Sequence, residues 1–166
     1  MKTLVEYITE SSKDEYLLID TYHVEEEDSD MIDVLIDDFN EQIEKANKEY
    51  EGFLITGTLG LWHGKKDIYP EYYADLNEAY KKCVENADDI IAKIVDGALE
   101  ISSMHHDGTN TLYIRPLDPI GCDIISSFEQ GYEDDYFEGL DDDEFYKKFL
   151  KDSKLFLKFK PEDFDL

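Results

Sequence analysis

The chain has 166 residues, with 42 Asp and Glu against 16 Lys and Arg, and a formal net charge of -26. That length fits one domain of about 100–200 residues, and 42% hydrophobic with 13% aromatic residues is too apolar for a charge-expanded disordered chain. The balance excludes nucleic-acid binding through a basic patch and docking on anionic lipid, since both need clustered Lys and Arg.

Residues 1–14 are polar and define no element. Acids stand in MKTLVEYITE where a signal peptide would be apolar. With no apolar run of about 18 residues to span a membrane, the expected location is the cytoplasm. Residues 15–24 are apolar and β-branched enough for a strand. An acidic run, Glu25-Glu26-Glu27-Asp28, follows, with Ser29 as the expected cap of a helix. Residues 30–50 carry the clearest helical period. Ile32, Leu35, Ile36, Phe39, Ile43, Ala46 and Tyr50 recur at steps of three and four and draw one apolar stripe. Gly52 is expected to end this helix.

Residues 53–72 read as β structure broken by turns, with Gly57 and Gly60 marking a bend and His63-Gly64-Lys65-Lys66 a hairpin tip. A second helix is expected from Asp75, where Asp75 and Glu78 have capping-box spacing and Leu76, Ala79, Tyr80, Cys83 and Val84 mark the buried face. Three strands follow, at 90–95, 99–105 and 111–115, joined at Asp96-Gly97 and Asp107-Gly108. Asp-Gly between apolar runs is a strong hairpin signal because both residues accept positive φ. Pro116 and Pro119 stop the sheet, and 120–128 is either a short helix or a strand. Residues 129–144 hold nine acids and no base. Asp141 is expected to cap a last helix running to about Lys151, with Phe145, Phe149 and Leu150 inward, and the end, KLFLKFKPEDFDL, alternates like a short strand. This order predicts an α+β fold: a mostly antiparallel sheet, with a three-stranded meander over about 89–116, packed by two or three helices. It forms a single acidic domain over 1–166, with an acidic segment at 129–144 able to move on it.

The first candidate site is the outer face of the 30–50 helix. Asp30, Asp33, Asp37, Glu41 and Glu44 lie within about 80° of one another at ~100° per residue, nearly opposite the apolar stripe. They span about 21 Å, one carboxylate every ~5 Å, against one phosphate every ~3.4 Å of axis along a DNA strand. A solvated helix face would interleave Lys with Glu, yet residues 25–44 hold ten acids and no base. The second candidate is the 129–144 tract, with Glu133, Asp134, Asp135, Asp141, Asp142 and Asp143 as its partner-binding carboxylates and Tyr132, Tyr136 and Phe137 either to anchor it to the body or to pack against a partner's side chains. Lys147, Lys148, Lys151, Lys154, Lys158 and Lys160 follow it closely enough to neutralise part of it. Neither acidic run fits the spacing of a calcium-binding EF-hand loop.

His105-His106-Asp107 is the third candidate, in a small metal-dependent enzyme. Adjacent strand residues face opposite sides of a sheet, so the two imidazoles are not expected to share a ligand. His63 is the other histidine of this region, and no hydrolase or zinc-protease signature accompanies any of them. Gly57-Thr58-Leu59-Gly60 lacks the ending and spacing of a phosphate loop. Cys83 and Cys122 are too few and too far apart for a disulfide framework or zinc motif and read as buried thiols. No metal or cofactor is expected.

The segments Thr56-Gly57-Thr58-Leu59-Gly60-Leu61-Trp62 and His105-His106-Asp107-Gly108-Thr109-Asn110 together resemble a group of small uncharacterised proteins carried by phages and mobile elements of Gram-positive bacteria. The likeness covers about 53–115 and assigns no residue a role, but it implies a mobile-element setting. In size and charge alone, the whole chain is similar to phage DNA-mimic inhibitors of restriction enzymes and RNA-guided (CRISPR) nucleases, with no shared motif. The expected function is therefore a monomeric, non-enzymatic DNA mimic. Its partner would be a basic DNA-binding protein of the host, a nuclease or methylase, with no direct contact to nucleic acid or membrane. The alternative is an acidic protein-interaction module unrelated to DNA.

Overall fold

The computed structural model describes residues 15–61 and 63–165, so the polar start, Trp62 and the last residue fall outside it. Eleven elements follow in chain order: β1 (Glu15–Asp20), α1 (Ser29–Asn47), β2 (Phe53–Leu61), β3 (Gly64–Asp67), β4 (Glu71–Tyr73), α2 (Leu76–Cys83), β5 (Asp89–Val95), β6 (Ala98–His105), β7 (Gly108–Pro116), α3 (Pro119–Glu129) and α4 (Asp142–Lys151). The sheet runs β1-β5-β6-β7-β2-β3, with β4 also on β2, and every pairing is antiparallel. This is the expected α+β class, with four helices among the described residues.

The alternation Phe53, Leu54, Ile55 explains the layering. Successive strand residues face opposite sides, and all three are buried. Phe53 and Ile55 join Ala92, Ile94, Leu99, Ile101, Leu112 and Ile114 in a core covered by α1 and α2. Leu54 points the other way, into a second core with Ile125, Phe137, Phe145 and Phe149. Helices α1 and α2 therefore lie on one face of the sheet, and α3 and α4 on the other, over its β2 end.

The meander forms as expected, with one shift. In the first hairpin Val95 pairs with Ala98, and Asp96 (φ 49) and Gly97 (φ 79) both take the left-handed backbone. In the second, His105 pairs with Gly108, so the two-residue turn is His106-Asp107 and Gly108 opens β7. The glycine is needed there for a different reason: its φ is +149 and a Cβ would meet the Gly60 carbonyl oxygen at 2.2 Å. Likewise Leu61 pairs with Gly64, which makes Gly64-Lys65-Lys66 part of β3 rather than a hairpin tip.

Four other expectations are corrected. Ser29 lies inside α1 rather than capping it; Asp28 takes the cap position after a short 3-10 turn and makes no side-chain cap bond. Helix α1 stops at Asn47, and its C-cap is Lys48, without a glycine. Gly52 serves close packing instead, since a Cβ would stand 2.7 Å from the Tyr72 ring and 2.8 Å from Cys122 Sγ. Strand β1 ends at Asp20. The chain end is no strand, because its contacts are single rungs. Leu117 bridges Phe156, Leu157 N–H donates to Pro116 O, Phe159 N–H donates to Gly97 O, and Pro161 then starts a 3-10 turn.

Segment 120–128 is resolved as helix α3 by its start. Pro119 sits in the first turn, where its fixed φ is suited, and Asp118 Oδ1 accepts a 2.6 Å bond from Gly121 N–H. Helix α2 is capped by Asp75, whose Oδ1 accepts from Asn77 N–H at 3.1 Å rather than from Glu78 N–H as a capping box would require.

Both cysteines are free and buried. Burial pushes the Cys83 thiol up to about 12 and the Cys122 thiol up to about 11. The thiolate is the reactive form, so Ellman's reagent at mildly alkaline pH is expected to label neither in the folded protein and both after denaturation. Prompt labelling of the folded protein would contradict this burial.

Candidate functional site

All five carboxylates of the first candidate, Asp30, Asp33, Asp37, Glu41 and Glu44, are exposed on α1. The cause is the helical period itself: Phe39, Ile43 and Ala46 are buried against the sheet and α2, which turns the opposite side to solvent. Among the described residues none of the five is in an ion pair. Lys45, the nearest base on α1, reaches away from them to the Asp165 carboxylate and to Glu162 O at 3.0 Å. The acidic face also carries apolar side chains that periodicity concealed. Val34 is 62% exposed and Met31 56% exposed. Val34 is three or four residues from Asp30, Asp37 and Asp38, the spacing of direct neighbours on a helix surface.

The 129–144 tract is anchored by Phe137 and Tyr136, while Tyr132, also expected as an anchor, is exposed. Phe137 is buried, 5.3 Å from Phe128 and 5.5 Å from Phe145 between ring centroids. Two of its six candidate carboxylates have local structural work. Asp134 Oδ1 accepts from Tyr136 N–H at 2.8 Å, and Asp141 Oδ1 accepts from Glu144 N–H at 2.8 Å as the cap of α4. Glu133, Asp135, Asp142 and Asp143 are exposed and in no ion pair among the described residues. The lysines that follow do not neutralise them. Lys148 donates to Tyr136 O at 2.5 Å and sits 4.0 Å from the Tyr136 ring centroid, and Lys158 pairs with Asp96 at 3.3 Å.

This tract closes a cavity of about 720 Å³, walled by Tyr69, Phe128, Tyr132 and Tyr146 and by Glu129, Glu133, Glu138 and Asp142, with no base on its lining. Aromatic faces with carboxylates favour a cationic guest. Partial desolvation against the cavity wall raises the Glu129 carboxyl above its ordinary value, although the residue as a whole is exposed. A carboxyl whose folded pKa is raised contributes stability below its unfolded pKa and loses it as pH climbs through the folded value. Glu129→Gln is therefore expected to melt at a higher temperature than the wild type at neutral pH. The two should converge near about pH 4, where both carry an uncharged side chain there. A lower melting temperature for the variant at neutral pH would contradict the partial desolvation of this carboxylate.

The two acidic surfaces belong to opposite layers, since α1 packs on one face of the sheet and the 129–144 tract on the other. The sequence pattern shows each run but not this separation.

The histidines do not form a site together. Ser103 Oγ lies 2.9 Å from His105 Nε2, and His105 Nδ1 lies 3.0 Å from Asn86 O. A carbonyl only accepts, so Nδ1 carries the proton and Nε2 accepts from the Ser103 hydroxyl. Both ring nitrogens are used in tying the α2–β5 connection to β6, and Ser103 is fully buried, so this pair offers no exposed nucleophile. His106 instead meets His63 and Asp107 around a hollow of about 480 Å³ at the hairpin tips. Among the described residues no group of three His, Cys, Asp or Glu could hold a metal ion, and no helix is long and apolar enough to cross a membrane.

No protein-family model, curated protein or solved structure matches the chain.

Proposed function

We propose that this protein is a non-enzymatic, acidic DNA mimic from a phage or mobile element. It acts as a monomer in the cytoplasm of the bacterial host, where it occupies the DNA-binding groove of a defence nuclease of the restriction or CRISPR type. The observation that carries the reading is the line of five exposed carboxylates on α1, none of them in an ion pair among the described residues. Their spacing approaches that of phosphates along a strand, and like charges at i,i+4 destabilise an isolated helix slightly, so the arrangement serves something other than stability. Inhibition would be competitive with DNA, fast in association and weakened by salt.

The test reverses Asp33, Asp37 and Glu41 to Lys and measures inhibition across a panel of purified restriction and RNA-guided nucleases at two salt concentrations. The wild type is expected to inhibit at least one of them in competition with DNA. The triple variant should lose about 100-fold or more in affinity, on the scale of about 1 kcal/mol per removed contact. Affinity untouched by both reversal and salt would sink the mimicry. A second reading, an acidic interaction module unrelated to DNA, is favoured by exposed Val34 and Met31, since phosphates offer no apolar counterpart. On that reading Val34→Ser weakens partner binding more than any single carboxylate change does.

A further inference from the structure

In a chain with 42 acids, Arg115 is the sole arginine. It is half-buried near the end of β7, its guanidinium 5.9 Å from the Phe156 ring centroid. Among the described residues it has no ion-pair partner and no hydrogen-bond acceptor. Its five N–H donors are thus uncommitted in a molecule rich in carboxylates.

Strand alternation turns Arg115 and Tyr113 away from buried Leu112 and Ile114 and onto the second face of the sheet. There they floor a cavity of about 1070 Å³ with Thr56 and Thr58 of β2, beneath Tyr146 and Leu150 of α4. That is the upper end of ligand-site volumes, about 300–1,000 Å³. Lys66 and Lys147 also line it, and neither is in an ion pair among the described residues. Asp67 and Asp143 are the carboxylates on its wall. The lining itself carries three cations and two carboxylates, with Glu100 hydrogen-bonded to Tyr113 and Asp141 and Asp142 close to Tyr69 as further acids around it.

We infer that this cavity binds a monocarboxylate with an aromatic or aliphatic body. The planar guanidinium of Arg115 suits a carboxylate through two parallel hydrogen bonds. Thr56 and Thr58 add hydroxyl donors, and Tyr69, Pro70, Tyr146 and Leu150 receive the apolar body. The field of 26 net negative charges repels each added negative charge of a ligand, which selects a monoanion over a polyphosphate. The site lies on the layer opposite the α1 carboxylates, so its failure and that of the proposed mimicry are separate results.

Calorimetry and amide-shift mapping on the full chain would test this, with 3-phenylpropanoate, 3-phenylpropan-1-ol and inorganic phosphate as probes. The carboxylate is expected to bind with a Kd of about 0.1–1 mM and to shift the amides of Thr56, Thr58 and Tyr113. The alcohol should bind about tenfold more weakly or worse, and phosphate more weakly than the carboxylate. Arg115→Met should weaken binding by about 30-fold, in the range for losing hydrogen bonds to a charged group. Lys147→Gln, an exposed change that leaves the fold alone, should weaken it about threefold. Equal binding of the alcohol, tighter binding of phosphate, or no saturation by about 10 mM carboxylate would each overturn the site. So would unchanged affinity in Lys147→Gln, which decides the matter if Arg115→Met does not fold.

Discussion

Replacing Phe145 by Ala is expected to lower the stability of the protein by about 4 kcal/mol, within the usual range for emptying a buried phenylalanine site. Phe145 is fully buried. Its ring stacks on Phe128 at 3.8 Å between centroids, and the edges of Tyr146 and Phe137 approach at 5.1 and 5.5 Å. Phe149 lies 5.6 Å away. Removing the ring leaves these neighbours facing a void, and the aromatic pairs, each worth about 0.5–1.5 kcal/mol beyond their buried area, go with it. The second core draws just one fully buried strand residue, Leu54, from the sheet. The layer of α3, α4 and the acidic tract is therefore held mostly by its own aromatic cluster. At about 2–4 °C per kcal/mol for a chain of this size, the melting temperature should fall by roughly 8–16 °C. The aromatic cavity of the 129–144 tract should open with it, which near-ultraviolet circular dichroism reads directly. A shift below about 3 °C would show that the cluster contributes little.

Gly108→Ala is the second large effect, expected to destabilise by about 3 kcal/mol or more. Two costs add. A non-glycine residue at φ +149 lies outside the ordinary allowed regions, worth of order 1–3 kcal/mol. The new Cβ would also stand 2.2 Å from the Gly60 carbonyl oxygen, a backbone atom that cannot swing aside. Gly60 faces the same constraint in return, a Cβ there meeting Thr109 O at 2.0 Å. Strands β2 and β7 thus approach through glycines at this end of the sheet. Gly131→Ala isolates the conformational part: its φ is +78 with nothing within 4 Å, so about 1 kcal/mol is expected. Denaturant unfolding of the two variants should rank Gly108→Ala well above Gly131→Ala; equal losses would mean that the close approach carries no strain.

The α1 helix, the 89–116 meander and the cap of α4 were legible because each is written in a local period or turn. Phe39, Ile43 and Ala46 recur at helical spacing, and Asp96-Gly97 names its own hairpin. Two of the misread glycines share one physical reason. Gly52 and Gly108 have turn-like neighbours in sequence, but each is required by a distant atom, Tyr72 and Cys122 for the first and Gly60 for the second. The chain end alternates like a strand, yet its rungs to Pro116 and Gly97 are isolated, and alternation by itself supplies no neighbouring strand.

For the candidate site the division is similar. Composition and spacing already contain the excess of acid, its concentration in 25–44 and 129–144, and the alignment of Asp30, Asp33, Asp37, Glu41 and Glu44. Helical geometry alone dictates that such residues share a face. Tertiary packing decided the rest. It placed the two acidic runs on opposite layers, drew Lys45 to Asp165 and Lys148 to Tyr136, committed Asp134 and Asp141 to local backbone bonds, and set Arg115, with no ion-pair partner among the described residues, on the floor of a cavity of about 1070 Å³. The physical reason is that a period along the chain reports which side of an element is buried, whereas pairing and neutralisation depend on groups such as Lys45 and Asp165 that lie far apart in sequence and meet only on the surface of the folded molecule.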